Sequence, residues 1–236
     1  MKPLRIATYN IHKAKGMDRR TSVERIGRVL EEMDADIIGL QEAMMDQAQE
    51  LGDRLGYIVS MGEARKHNGA AYGNATLSRR QPKRAIHMHV SVPGREERCV
   101  LRTDVTYDRH TLHVFNAHLG TGFFERRKQG QRLFEDDILR AVDIDGPRVV
   151  MGDFNEWTRG LVTRLLRSEF QDAGIRRHLP SMRAYPMALP LLSLDHIYLD
   201  PHLEVKHAYF HISMLSLLAS DHLPLVADVL LKPTLG

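Results

Sequence analysis

The sequence predicts an α/β protein in which two packed β-sheets carry helices on their outer faces. Short apolar runs of strand length alternate with amphipathic helical segments in both halves of the chain. The middle of the chain is rich in β-type residues, with turn signals such as Pro93-Gly94 between the runs. No low-complexity linker divides the 236 residues. We therefore expect one domain spanning residues 1–236.

The first part of the chain alternates strands and helices. The run "LRIATYN" predicts a first strand with a polar end. In "RTSVERIGRVLEEMDAD" a helix can be capped by Thr21 or Ser22. The apolar residues of that helix recur at helical spacing: Val23, Ile26, Val29, Leu30 and Met33. A strand in "IIGLQE", a helix in "MDQAQELGDRLG" and a strand in "YIVSMG" follow.

The remaining elements continue the α/β pattern. Four β-type runs follow in order: "AYGNATLSRR", "RAIHMHVSV", "RCVLRTDVTYD" and "HTLHVFNAHL". The segment "GFFERRKQGQRLFEDDILRAV" predicts one long amphipathic helix, and "RVVMGDFN" predicts a strand. After a helix in "TRGLVTRLLRSEF", the last third supplies strands in "SLDHIYLD", "EVKHAYFHI" and "LPLVADVLL".

Composition limits the functional classes. The chain is 43% hydrophobic and 27% charged, which is typical of a soluble globular enzyme. Its one cysteine, Cys99, allows no internal disulfide and indicates a reducing compartment. We see no signal peptide and no apolar stretch near the roughly 20 residues that span a bilayer. We expect a cytoplasmic protein with at most peripheral membrane contact.

Polar residues recur where the apolar strands end. One such end is uninformative, but six in one chain indicate a site, because ligand sites of α/β folds gather at strand ends. These residues are Asn10, Glu42, Asn116, His118, Asp153, Asn155, Asp195, Asp221 and His222.

Four of these strand-end residues are carboxylates, and they would repel one another in a shared pocket. Two like charges about 4 Å apart repel by about 4 kcal/mol at an effective dielectric near 20. A divalent cation would relieve this repulsion, and oxygen ligands favour Mg²⁺ or Mn²⁺ over zinc. The histidines and asparagines add donors for an anionic ligand. Together these groups indicate a phosphoryl-transfer site.

Six motifs in order resemble the endonuclease/exonuclease/phosphatase superfamily, which is deoxyribonuclease I-like. They are "TYNIH", "LQE", "NAHL", "GDFN", "LDHIY" and "SDHLP", and they extend from Asn10 to His222. "NIHK", "YGNATLSR", "HLG" and "GDFNEW" look closest to short bacterial metal-dependent hydrolases. The resemblance implies a four-layer α/β sandwich with the site at one edge of two facing sheets.

The resemblance also implies roles for single residues. Glu42 would be the principal metal ligand, with Asn10 and Asp221 close to the ion. Asp153 would orient or deprotonate the attacking water, and Asn155 would hold that water or a phosphate oxygen. The number of metal ions stays open.

The histidines would contact the phosphate. Asp195 would orient His222 and favour its cationic form, so that His222 donates to a non-bridging oxygen, and His118 would donate from the opposite side. For Asn74 a turn role competes with a role at the pocket rim, and for Arg126 a solvated helix face competes with a phosphate contact. The substrate-binding candidates are Asn74, Asn116 and Arg126.

We expect a Mg²⁺- or Mn²⁺-dependent phosphoesterase that cleaves a phosphodiester or phosphomonoester. The leading substrates are a phospholipid headgroup or a small phosphoester, because "YPMALPLLSL" and "ISMLSLLAS" could form apolar rim loops. The net charge of +3 is modest for a sequence-independent nuclease. A DNA or RNA nuclease stays open as an alternative, as does a non-catalytic module that binds a phosphate ligand.

Overall fold

The computed structural model describes residues 3–156, 160–173 and 194–232. The strands of these residues are β1 (Leu4–Asn10), β2 (Ile37–Met44), β3 (Ile58–His67), β4 (Ala70–Ser78), β5 (Arg84–His89), β6 (Cys99–Tyr107), β7 (His110–His118), β8 (Arg148–Asp153), β9 (Gln171–Asp172), β10 (Asp195–Leu199), β11 (Leu203–Phe210) and β12 (Leu225–Leu231). The helices are α1 (Val23–Met33), α2 (Met45–Leu55), α3 (Phe123–Leu133), α4 (Leu161–Glu169) and α5 (Ser216–Ala219), with a 3-10 helix at His12–Ala14.

The strands form two mixed six-stranded sheets. The first sheet has the order β11-β12-β1-β2-β4-β3, and the second has the order β5-β6-β7-β8-β10-β9. The central pair of each sheet is parallel, β1 with β2 and β7 with β8. The carboxyl ends of each parallel pair therefore lie at one edge of their sheet.

The core explains how the layers stack. One apolar cluster lies between the sheets and joins Ile6 and Ile37 of the first sheet to Val114, Val149 and Ile197 of the second. A second cluster packs α1 and α2 on the outer face of the first sheet, and a third packs α3 and α4 on the second sheet. This arrangement is the four-layer α/β sandwich that the sequence predicted.

Local sequence signals determine the bounds of α1. The Ser22 side chain accepts a hydrogen bond from the backbone N–H of Arg25 at 3.2 Å, so Ser22 is the cap. The helix ends at Asp34, which adopts a left-handed backbone with φ of 48°. The predicted apolar face is buried at Ile26, Val29, Leu30 and Met33.

The prediction of one long helix over residues 122–142 was wrong. α3 ends at Leu133, and residues 134–147 form turns. The helix stops because Leu133, Ile138 and Leu139 all belong to the same buried cluster. Residues five and six positions apart do not share a helix face, so a turn is required to bury all three.

Some short elements were not predicted, namely β9, α5 and the 3-10 helix. Each has at most four residues, which is too short for a periodic pattern to be visible. Among the residues that the structure describes, no helix combines the length and apolar character required to span a membrane.

Candidate active site

The strand ends of the two sheets meet at one edge of the sandwich. Asn10 ends β1, His118 ends β7 and Asp153 ends β8. Asp195 begins β10 and pairs directly with Asp153, which also pairs with His118. The Asn10 side chain donates to Asp153 Oδ2 at 3.0 Å and so connects the two sheets. The structure thus brings together residues that are distant in the sequence.

A β-bulge places Glu42 at this edge. The register of β2 against β4 shifts between Leu40 and Ala43, so β2 carries one extra residue there. Glu42 lies in the bulge with φ of 53°, and Asn155 after β8 also has a positive φ of 49°. Left-handed backbone costs a non-glycine residue roughly 1–2 kcal/mol, and such strain clusters at functional sites. The bulge redirects the Glu42 side chain away from the regular strand alternation.

Asn10 bridges two of the acids. Its amide nitrogen donates to Glu42 Oε1 at 3.3 Å and to Asp153 Oδ2 at 3.0 Å. Its amide oxygen accepts from the backbone N–H of His12 at 3.0 Å. In this arrangement the nitrogen of Asn10, and not its oxygen, faces the carboxylates.

Lys13 is a site residue to which the sequence analysis assigned no role. Its ammonium group lies 3.1 Å from Glu42 Oε2. Burial raises the pKa of Glu42, but the charges of His118 and Lys13 and the bond from Asn10 outweigh it and bring the pKa to about 2. The position of Lys13 three residues after Asn10, within "NIHK", was the available signal.

Asp195 and Asp153 surround His222. His222 Nδ1 lies 2.8 Å from Asp195 Oδ2, and His222 Nε2 lies 3.7 Å from Asp153 Oδ2. Burial lowers the pKa of His222, but the charges of Asp195, Asp153 and Asp221 outweigh it and raise the pKa to about 10. The imidazole is therefore cationic at neutral pH. Burial also raises the pKa of Asp153, which makes this carboxylate a stronger base.

His118 differs from the sequence expectation. Burial and the positive charge of Arg98 lower the pKa of His118 to about 4, although the negative charge of Asp153 acts to raise it. Its Nε2 lies 3.2 Å from the amide nitrogen of Asn155. An amide nitrogen only donates, so this ring nitrogen accepts and His118 is neutral. The contact orients Asn155, which also donates to Leu119 O at 2.9 Å.

Asp221 lies at the more open side of the site. Its side chain is 30% exposed, and its Oδ1 lies 3.5 Å from His12 Nδ1. The neighbouring Ser220 donates through its hydroxyl to the backbone oxygen of Asn10 at 2.8 Å. This bond joins the segment before β12 to the end of β1, so Asp221 reaches the same edge as Glu42.

Two predicted substrate-binding residues lie between the sheets. Asn116 is fully buried, donates to two backbone oxygens of the first sheet and accepts from Gln41 at 2.7 Å. Asn74 donates to the backbone oxygens of Cys99 and Asn116. Because these bonds cross-link the two sheets, the structure assigns Asn116 and Asn74 a supporting position and does not bring them to the open side of the site.

Arg126 supports the loop after β7. It is buried and donates through Nη1 to the backbone oxygens of Gly120 and Thr121. Burial lowers the pKa of Arg126 against the charges of nearby acids, among them Glu156 and Asp153. The solvated helix face considered for Arg126 is excluded, because the side chain lies inside the protein near the catalytic edge.

The donor set at this edge suits a hard cation. Within the described ranges, no group of three or more histidine, cysteine or acidic side chains is arranged to hold a metal ion. Carboxylate oxygens of Glu42 and Asp221 remain at the open side, beside the amide of Asn10. One or two carboxylates completed by water is the ligand set that Mg²⁺ accepts in proteins. The residues therefore fit Mg²⁺ or Mn²⁺ and do not fit a cage made of protein ligands alone.

Comparison with known proteins places this geometry among relatives. Residues 7–222 match the Endonuclease/Exonuclease/phosphatase family. The uncharacterized protein YbhP of Escherichia coli K12 is 27% identical over 250 aligned positions, which cover 95% of this chain and 95% of YbhP.

Solved structures share the fold. Mannosyl-6-phosphatase Bt3783 from Bacteroides thetaiotaomicron superposes with a TM-score of 0.78 at 17% identity, covering 96% of this chain and 99% of that one. D. rerio TDP2, complexed with a single-strand DNA product, superposes with a TM-score of 0.75 at 17% identity, covering 96% and 98%. At such identities the likeness establishes the architecture alone.

Proposed function

The chain belongs to the endonuclease/exonuclease/phosphatase family, and on this premise we propose that it hydrolyses a phosphoester with the help of Mg²⁺ or Mn²⁺. Members of this family act on phosphoester bonds. The observation that carries the proposal is the convergence of acidic side chains around the His222 imidazolium at the edge where the strand ends meet. Four acids converge there: Glu42, Asp153, Asp195 and Asp221. Such a cluster is stable only with a cation or with protons.

Glu42 and Asp221 would hold the ion, whereas Asn10, expected from the sequence to lie among the metal ligands, would orient Glu42 and Asp153 through its amide nitrogen. Glu42 is the strongest candidate, because its pKa of about 2 keeps it ionised and its bulge presents it at the edge. A bound divalent ion would supply Lewis-acid stabilisation of charge on the phosphoryl oxygens. Lys13, 3.1 Å from Glu42 Oε2, adds a positive charge beside this carboxylate.

Asp153 would accept the proton of the attacking water. Its burial raises its pKa, and its Oδ1 already accepts from the backbone N–H of Asn155 at 2.9 Å. Asn155 donates both amide hydrogens to His118 and Leu119, so its amide oxygen would accept from the attacking water and hold it in line. His118, neutral and accepting through Nε2, would then act by positioning Asn155.

His222 would donate to a non-bridging phosphate oxygen. It is cationic at neutral pH, its Nδ1 lies 2.8 Å from Asp195 Oδ2, and its Nε2, on the side of Asp153, would face the substrate. A charge-assisted hydrogen bond from a fixed imidazolium stabilises negative charge that develops during in-line attack. Asp195 acts through His222 and is a positioning residue.

A generic aryl phosphodiester assay tests this function. We expect hydrolysis with Mg²⁺ or Mn²⁺, none after addition of a chelator, and recovery when the ion is restored in excess. Phosphomonoester, phospholipid and DNA substrates are assayed in parallel. If no substrate is hydrolysed with any ion, the alternative of a module that only binds phosphate ligands is favoured.

One observation favours a phospholipid headgroup among the substrates. The segment before Asp221 exposes three apolar side chains: Ile212, Met214 and Leu218, of which Met214 is 85% exposed. Phe123 and Phe124 are also largely exposed at the start of α3, shortly after His118. Exposed apolar side chains beside a site are a common feature of contact with lipid. The other proposed rim segment, "YPMALPLLSL", lies outside the described residues except for Leu194.

Salt dependence separates the lipid candidate from the nuclease candidate. A nuclease that neutralises several phosphates loses DNA affinity steeply as salt rises. We expect a shallow slope here, together with vesicle binding that weakens when Met214 is replaced by Ser. A steep slope and no vesicle binding would support the nuclease instead.

A further inference from the structure

Two arginines share one exposed carboxylate: Arg65 lies on β3 of the first sheet, and Arg98 immediately precedes β6 of the second sheet. Arg65 on β3 donates through Nη2 to Glu96 Oε1 at 2.8 Å, and Arg98 Nη2 lies 2.9 Å from Glu96 Oε2. Glu96 belongs to the exposed loop between β5 and β6, which turns at Gly94 with φ of 75°. The carboxylate thus lies between two guanidinium groups, in the geometry that these groups use to bind phosphate.

The Arg98 guanidinium is buried without full compensation. Its side chain is only 8% exposed, while that of Glu96 is 43% exposed. Its Nε has no hydrogen-bond partner among the described residues. A buried cation with an unsatisfied donor is costly unless a ligand completes its bonding. Arg98 therefore has donor capacity that Glu96 does not use.

The arginine pair adjoins the proposed catalytic residues through Tyr72. The register of β3 shifts between Glu63 and Arg65, and this bulge sets Arg65 opposite Tyr72 on β4. The Arg65 guanidinium lies 4.5 Å from the centre of the Tyr72 ring, and Lys13 Nζ lies 5.5 Å from the same ring. Because Lys13 also contacts Glu42, the cationic groups of Lys13 and Arg65 form a chain of contacts between the proposed metal ligand and the arginine pair.

On the other side, the field of Arg98 reaches His118. The charge of Arg98 is the second cause, after burial, of the lowered pKa of His118. The arginine pair is thus connected to Lys13 by the shared contact with the Tyr72 ring, and Lys13 contacts Glu42. A ligand whose phosphate is attacked at the catalytic edge could extend a second group to this pair.

We propose that Arg65 and Arg98 form a subsite for a second anionic group of the substrate, and that the Glu96 carboxylate occupies this subsite until the substrate replaces it. The inference rests on the proposed phosphoester hydrolysis and narrows its substrate to a phosphoester with a further phosphate or similar anion. A soluble bisphosphorylated molecule and a phosphorylated lipid headgroup share this chemistry. A neutral or zwitterionic headgroup lacks it.

Calorimetric titration of inorganic pyrophosphate into the full-length, metal-free protein tests the subsite without relying on turnover. Glu96→Gln removes the competing charge and keeps the shape, so we expect pyrophosphate to bind roughly threefold tighter or better. Arg65→Gln removes a charged donor, and we expect binding to weaken roughly tenfold. Glu24→Gln and Arg28→Gln, which change the same charges in an exposed ion pair on α1, serve as matched controls.

The outcome separates a binding site from a structural ion pair. The subsite is supported if pyrophosphate affinity changes in the Glu96 and Arg65 variants and stays unchanged in the α1 control variants. Equal binding by the wild type and both subsite variants overturns it, even if the unfolding free energies differ. Arg65 and Glu96 are partly exposed, so their variants should fold.

Two further measurements keep this inference distinct from the proposed function. If the protein hydrolyses the phosphodiester with a metal ion while Arg65→Gln leaves pyrophosphate affinity unchanged, that result would support the proposed function and refute the subsite. Pyrophosphate binding that weakens in Arg65→Gln, without hydrolysis of any ester, would support the subsite and refute the proposed function. Binding to vesicles of phosphatidylcholine, with and without phosphatidylinositol 4-phosphate, shows whether the anion belongs to a lipid. Vesicle binding that weakens in Arg65→Gln supports a lipid-borne anion. If Arg65→Gln weakens only pyrophosphate binding, the anion is a soluble one.

Discussion

Two clusters of acids, one around buried Asp104 and one around buried Asp153, differ in how their charge is balanced. In the second sheet, Asp104 accepts from Arg102 Nε at 2.8 Å and lies 2.8 Å from His113 Nδ1. The same arginine donates to Asp143 at 2.9 Å, and His113 Nε2 lies 3.2 Å from Asp145. In this cluster, each acid has a cationic or imidazole partner within hydrogen-bond distance.

The catalytic edge is arranged differently. Its cationic partners are Lys13 on Glu42 and the imidazolium of His222 between Asp195 and Asp153, while Asp221 lies near His12 at 3.5 Å. His118 is neutral. In the first cluster Arg102 contacts both Asp104 and Asp143, whereas at the strand-end edge four acids share Lys13 and the imidazolium of His222. We expect the strand-end acids to serve a ligand and the Asp104 cluster to serve stability.

The largest expected effect is on turnover at the catalytic edge. Glu42→Gln and Asp153→Asn should each lower kcat at least roughly 10⁴-fold, because they remove the proposed metal ligand and the proposed base. Steady-state hydrolysis of an aryl phosphodiester with Mn²⁺ measures this, and circular dichroism verifies folding.

Asp104→Asn is the matched control for those two variants, since it also converts a buried acid to its amide. We expect it to retain turnover within a few-fold at a temperature at which it is folded. A loss equal to that of Asp153→Asn would abolish the distinction between the two clusters.

The next largest expected effect is on the free energy of unfolding, which should change more at Asp104 than at the strand-end acids. Asp104→Asn should lower the free energy of unfolding by about 3 kcal/mol, because it leaves Arg102 and His113 without their buried partner. Asp221→Asn in the metal-free protein should be neutral or slightly stabilising, since it removes one of several repelling acids. Urea unfolding measures both. Equal destabilisation by the two variants would show that Asp221 is balanced by partners, as Asp104 is.

The sequence predicted the fold well because hydrophobic periodicity is a local signal. The apolar faces of α1 and of the strands were visible in windows of about ten residues. The one long helix over residues 122–142 failed for a non-local reason. Its end at Leu133 depends on burying Ile138 and Leu139 in a core formed with distant strands, which no local pattern reveals.

The sequence indicated which polar strand ends meet at one edge, but not the contacts that they make there. The polar strand ends identified Asn10, Glu42 and Asp153, since parallel strands bring their carboxyl ends to one edge. Lys13 was missed because it belongs to a short 3-10 turn of positive φ. The bonds of Asn116 to the opposite sheet and the neutrality of His118 depend on burial between layers, which composition cannot supply.

A smaller effect on turnover should follow from Asp195→Asn. Nδ1 of His222 loses its anionic partner, so the pKa of His222 falls from about 10 towards its ordinary value. We expect kcat to fall roughly 10²-fold, with KM little changed. The alkaline limit of the kcat profile should also move to lower pH. An unchanged alkaline limit with the same loss of kcat would mean that Asp195 supports the fold and does not set the charge of His222.

The smallest expected effect is a pH dependence that belongs to the cluster of the second sheet. Burial raises the pKa of Asp104, but His113 and Arg102 outweigh it and hold the pKa below the ordinary value of 3.8. The contribution of this depressed pKa is complete above the unfolded pKa and is lost as pH falls through the lower folded value. The difference in unfolding free energy between the wild type and Asp104→Asn should therefore be constant near neutral pH and shrink below about pH 4. Asp136→Asn, an exposed acid in the turns after α3, should show no such change. A difference that stays constant down to the acid limit would show that the ionised form of Asp104 contributes nothing beyond its hydrogen bonds.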